Sequence, residues 1–196
     1  MKKRTLITTS ILLICWLLST TGCQQKFGLG IDPMTGSKDT TQVPSVKLET
    51  KVLPPMKIVS VLHEVFTEED LGKALNTGYV NLCEFINKHR LPSSKVMAFY
   101  YTYDMPYIVE AAIEVDSFPP VLDSAIGARI VPGGEVLIAH YKGPYEQAAI
   151  AYHAIYKWLD DNHRSAREIP FEVYLNDPIT IRNKNDLRTD IYQFIK

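Results

Sequence analysis

From Met56 onward the chain runs twice through one order of periodicities, and that order leaves few folds open. KIVSVLHEVF (57–66) alternates apolar and polar residues as a strand does. Thr67-Glu68-Glu69-Asp70 then has the spacing of a capping box, with aspartate in place of the usual glutamate. Leu71, Leu75, Gly78, Leu82 and Ile86 keep helical spacing up to His89-Arg90, basic residues that suit a helix C-terminus. KVMAFYYTYD (95–104) and YIVEAAIEVD (107–116) follow as a hairpin about Met105-Pro106. The second pass begins with GGEVLIAHYKG (133–143), and Pro144 suits the first turn of the next helix. Its apolar stripe is Ala148, Ala151, Tyr152, Ile155 and Leu159, and IPFEVYLND (169–177) and LRTDIYQFIK (187–196) form the second hairpin. Two β-α-β-β units in succession predict a pseudo-twofold α+β domain, with two long helices on an antiparallel sheet.

The first residues belong to a different kind of segment. Lys2, Lys3 and Arg4 precede an apolar run from Leu6 to Leu18, about 13 residues, too short for an ordinary membrane span. Gly22-Cys23 after Ser19, Thr20 and Thr21 resembles a bacterial lipoprotein cleavage site, although Thr20 stands where such sites usually carry leucine. The expectation is a signal over residues 1–22, a lipidated Cys23 that anchors the chain to a membrane, and a cell-envelope location. Gln24 rather than aspartate points to the outer membrane if the cell has two. Residues 23–55, rich in Gly, Pro, Ser and Thr, read as a flexible tether, with some of 43–53 available to pack as an extended arm. The domain proper is expected over 56–196, folding alone as a monomer or weak dimer.

Charge and cysteine usage exclude several functions. Three of the 21 basic residues and none of the 22 acidic ones lie within 1–22, so the remainder is net acidic and carries no footprint for nucleic acid. Beyond Cys15 in the signal and Cys23, Cys83 stands alone in a helical stripe, where it reads as a small apolar residue. The five histidines have no H-x-x-x-H or H-x-H spacing, and there is no phosphate-cradling loop or nucleophile elbow, so no metal and no cofactor are expected.

One strand carries a charge that alternation alone does not explain. In PFEVYLNDP (170–178), Phe171, Val173 and Leu175 face one way and Glu172, Tyr174 and Asn176 the other, before Asp177-Pro178 ends the run. Glu172 is either a solvated outward residue or a pocket carboxylate. If the halves are equivalent, PFEVYL overlays VMAFYY, which sets Tyr100 in the place of Tyr174. Tyr192 in the last strand is a third aromatic candidate.

These same residues resemble the GyrI-like, or AraC-type effector-binding, domain. Gly133-Gly134, the H-x-x-G-x-Y turn from His140 to Tyr145, Trp158-Leu159, Glu172-x-Tyr174 up to Pro178, and Thr189-x-Ile191-Tyr192 carry the likeness. The resemblance implies a central cleft between the halves that binds hydrophobic, aromatic or cationic small molecules. It makes Glu172 the carboxylate at the cleft floor; alternation sets that residue opposite Phe171 and Val173, away from the helix-covered core, with Tyr174 and Tyr100 as expected walls and Tyr192 as a further ligand-binding candidate. It also leaves an alternative, a hydrolase of electrophilic small molecules in which Glu172 activates water and a tyrosine acts as acid. No helix-turn-helix segment accompanies the domain, so a DNA-coupled role is not expected.

Overall fold

The computed structural model describes residues 45–196. In chain order the elements are β1 (Ser45–Leu53), β2 (Met56–Val65), α1 (Glu68–His89), β3 (Ser93–Tyr100), β4 (Tyr107–Val115), β5 (Gly127–Val131), β6 (Gly134–Lys142), α2 (Ala149–Asp161), β7 (Phe171–Tyr174) and β8 (Arg188–Phe194). The signal, Cys23 and residues 24–44 lie outside the described residues.

Local chemistry sets the helix ends. Thr67 Oγ1 accepts from the Asp70 amide at 3.2 Å, capping the helix, and donates to the Asp70 carboxylate at 2.7 Å, so the aspartate meets the threonine hydroxyl rather than its backbone amide. Arg90 ends α1 in the left-handed region at φ 54°, and the Leu91 amide folds back on the Ile86 carbonyl. Gly78 lets α1 press onto the sheet: a Cβ there would lie 2.8 Å from Ala111 Cβ and 2.9 Å from His63 Nε2.

All eight strands form one antiparallel sheet, in the order β1-β6-β8-β7-β3-β4-β2-β5. The α+β class and the pseudo-twofold order therefore stand. β3 and β7 meet at the centre, where Ala98 opposes Glu172. Both helices cover one face. Leu75, Tyr79, Leu82 and Ile86 of α1 bury against Val59, Ala98, Ala111 and Ile113, while Ala151, Ile155 and Leu159 of α2 bury against Leu137, Ala139 and Ile191.

Among the described residues no helix covers the far face, yet it is a core too. Phe99, Phe171 and Tyr192 stack across it at centroid distances of 5.0 and 5.1 Å, with Met97, Val173, Ile138 and Phe194 around them. The sheet curls over this cluster, because β1, one edge of the sheet, leads through only Pro54-Pro55 into β2, which lies next to the opposite edge strand β5. Gly133, between β5 and β6, packs on that link; a Cβ there would meet the Leu53 carbonyl at 2.6 Å.

Two strands correct the sequence reading. Residues 45–53 take up the extended-arm part of the tether reading as a full strand: β1 pairs with β6 from Ser45↔Lys142 to Leu53↔Gly134, so the domain starts before Met56. Its charged residues hid it, since an edge strand keeps polar side chains on its open side. Glu49 even joins a cross-strand cluster, accepting from His140 Nε2 at 3.0 Å while Nδ1 of the same ring sits 2.8 Å from Asp190. β5 pairs with β2, so each half begins with a strand that is exchanged onto the other half.

Candidate functional site

Glu172 sits at the centre of the sheet in β7, all four of whose residues are buried. The expectation that its face looks away from the helices is wrong. Glu172 and Tyr174 share the face of Ala98 and Ile191, the face that α1 and α2 cover. Phe171 and Val173 go instead into the far-face core, and Leu175, beyond the strand end, is exposed. Alternation separates the two faces of a strand but does not say which one the helices will take.

Glu172 is 7% exposed, and among the described residues its carboxylate is held by two tyrosines. Tyr152 of α2 donates to Oε1 at 2.8 Å, and Tyr174 donates to Oε2 at 2.8 Å. The Tyr100 and Tyr174 hydroxyls lie 3.3 Å apart, and the Tyr79 ring stands edge-on to Tyr174 at 6.4 Å while its hydroxyl donates to the Met97 carbonyl. Tyr145, in the turn before α2, meets Tyr174 edge-on at 5.5 Å. Tyr103, which feels the charge of Glu172, and Tyr156 are exposed.

Electrostatics follow from burial. Loss of solvent pushes the Glu172 carboxyl above its ordinary 4.5, and the two tyrosine hydrogen bonds pull it partly back. Burial raises Tyr100, Tyr145, Tyr152 and Tyr174 as well, with the Glu172 charge adding to each, so their hydroxyls stay protonated donors. Among the described residues Glu172 has no ion-pair partner. Glu110 on the far face makes the contrast: it floors a recess beside Ser60, Leu62 and Ile108, but Arg129 already bonds both its oxygens, at 3.2 and 2.6 Å.

Of the four candidates, Glu172, Tyr174 and Tyr100 come together, and Tyr192 does not. Tyr192 points to the far face, stacked on Phe171 with burial and the Asp190 charge pushing its hydroxyl up to about 12. The sequence reading missed Tyr152, Tyr145 and Tyr79. A signal existed: Leu75-Gly78-Tyr79-Leu82-Ile86 and Ala148-Ala151-Tyr152-Ile155-Leu159 have identical spacing, which makes Tyr79 and Tyr152 pseudo-twofold equivalents. Tyr145 lies two helical turns before Tyr152, hence on the same side.

The family model for the GyrI-like small molecule binding domain matches residues 47–196. The EcmrR C-terminal domain superposes with a TM-score of 0.62 at 18% identity, covering 77% of this chain and 98% of that one. In the EcmrR–DNA complex the match spans only 57% of the EcmrR chain. A hydrolase from Listeria innocua gives a TM-score of 0.57 at 12% identity, covering 79% of this chain and 94% of its own. SAV2435 bound to tetraphenylphosphonium gives 0.51 at 8% identity, covering 76% and 94%. At these identities the likeness is one of fold. No curated protein matches the sequence.

Proposed function

The chain belongs to the GyrI-like small-molecule-binding family, and we propose that it captures aromatic, cationic molecules at Glu172 from a lipid-anchored position at the cell envelope. One observation carries the ligand class: a buried carboxylate whose hydrogen bonds come from neutral tyrosines and whose counter-charge the described protein does not supply. A desolvated carboxylate attracts a cation strongly, and each tyrosine face adds about 0.5–2 kcal/mol of cation–π attraction. The structure of SAV2435 bound to tetraphenylphosphonium supports the same class.

Calorimetry of the full chain with tetraphenylphosphonium tests it. We expect saturable one-to-one binding that strengthens as pH rises through the raised Glu172 value, because only the ionised carboxyl attracts the cation. Binding that is absent, or indifferent to pH, refutes the cation site. Capture is favoured over hydrolysis because both Glu172 oxygens are already engaged by tyrosines.

The envelope position rests on the charged start, the short apolar run and Gly22-Cys23. Cell fractionation of wild type and Cys23→Ser should find only the former lipid-modified and in the membrane fraction. If Cys23→Ser is processed and retained identically, the anchor is not at Cys23.

A further inference from the structure

We propose that the tyrosine cage contains a second, hydrogen-bonding subsite at Tyr145, so that its ligand joins a cationic group at Glu172 to an oxygen acceptor. This rests on the cation reading of Glu172 and narrows it.

The cage spends its hydroxyls unevenly. Tyr152 and Tyr174 donate to Glu172, Tyr100 is paired with Tyr174, and Tyr79 donates to the Met97 carbonyl. The Tyr145 hydroxyl is buried from solvent with no hydrogen-bond partner among the described residues. A buried donor without a partner costs the full desolvation of that group, so native proteins keep such donors rare. Thr189, the register partner of Tyr174 across β7–β8 and 1% exposed, likewise has a hydroxyl without a hydrogen-bond partner among the described residues.

Tyr145 is also held in place. Its turn is fixed by the Tyr141 hydroxyl on the Pro144 carbonyl at 2.6 Å, by the Gly143 amide on the Leu187 carbonyl at 3.0 Å, and by the Gln147 amide on the Pro144 carbonyl. The ring packs edge-on to Tyr174, which prevents an easy swing of the hydroxyl toward solvent. Burial first, and then the charges of Glu172, Asp177 and Glu146, raise Tyr145 above the ordinary tyrosine value. The group therefore keeps its proton and offers a fixed O–H to an incoming oxygen. A bare hydrocarbon cation leaves that O–H unsatisfied in the complex. A cation bearing an ester, carbonyl or ether oxygen at the right reach satisfies it.

The test uses two probes of matched length, benzoylcholine and (4-phenylbutyl)trimethylammonium, which carry the same phenyl and ammonium ends with and without the ester oxygens. Affinities are measured by calorimetry on the full chain and on Tyr145→Phe, together with the melting temperatures of both. Wild type should prefer benzoylcholine by roughly tenfold, the scale of one good hydrogen bond against an unpaired donor. Tyr145→Phe should lose that preference, weaken benzoylcholine more than the phenylbutyl probe, and melt at or above wild type. Equal affinities in wild type, a preference that survives in Tyr145→Phe, or equal loss of both probes would overturn the subsite while leaving the cation site standing. A clear fall in melting temperature would overturn it too, by showing that the hydroxyl is already bonded without ligand. Binding of neither probe to wild type refutes the cation site, and the subsite with it.

Discussion

Glu172→Gln should bind tetraphenylphosphonium about 10- to 100-fold more weakly than wild type, the equivalent of roughly 1.5–3 kcal/mol. The same substitution should raise the melting temperature of the ligand-free protein at neutral pH. Both effects come from the burial of one charge. Glutamine keeps the shape and an oxygen for one tyrosine, and its amide donates to the other hydroxyl oxygen. What it removes is a carboxylate whose ionised form is desolvated and lacks a counter-charge among the described residues. The pH dependence has a definite sign. Because the folded carboxyl titrates above its ordinary 4.5, its contribution to stability is fully present below that pH and is lost as pH rises through the folded value. The gain in melting temperature from Glu172→Gln should therefore vanish below about pH 4.5 and grow toward neutrality. A neutral ligand of similar shape should lose little affinity. Should wild type and Glu172→Gln bind the cation equally, or should the variant melt below wild type at neutral pH, Glu172 is a structural residue and the ligand sits elsewhere.

The legible parts of the sequence were those governed by local rules. Thr67 and Asp70 marked the start of α1 because capping involves residues three apart, and the stripe from Leu75 to Ile86 marked its buried side for the same reason. The strand containing Glu172 was legible by alternation. Which face the helices would cover was not, because that depends on how the crossover helices pack back on the sheet. The helix-free face misled for a related reason: it escapes solvent through the curl of the sheet, which no local pattern records. So pattern alone sets Tyr192 beside Glu172 although it stacks on Phe171, and sets Tyr152 in an apolar stripe although its hydroxyl reaches the carboxylate. Long-range pairing hid β5 and β1 as well. Each is an edge strand of mixed polarity, and only its partner β2 or β6, distant in sequence, makes it a strand.

β1 has the larger consequence, and truncation exposes it. A chain beginning at Ser45 should melt cooperatively, whereas one beginning at Met56 should lose at least about 3–5 kcal/mol, a large share of an ordinary domain's stability. The loss has several sources that act together. Leu53, 9% exposed, leaves the far-face core beside Met56 and Val131, a change comparable to a buried leucine truncation. Nine register pairs with β6 disappear, turning an interior strand into an open edge. Glu49 departs from His140, whose ring keeps only Asp190. Val46 and Leu48 withdraw from the core beneath α2. That last loss reaches the site, because α2 positions Tyr152, and Tyr152 holds one oxygen of Glu172. The shorter chain should therefore bind tetraphenylphosphonium weakly even at temperatures where it still shows secondary structure. Thermal melts and calorimetry on the two truncations decide the point. If the chain from Met56 melts and binds as the longer one does, β1 is an accessory to the fold. If it fails in both, the strand that reads in sequence as tether is what keeps the second helix, and with it the tyrosine cage, in place.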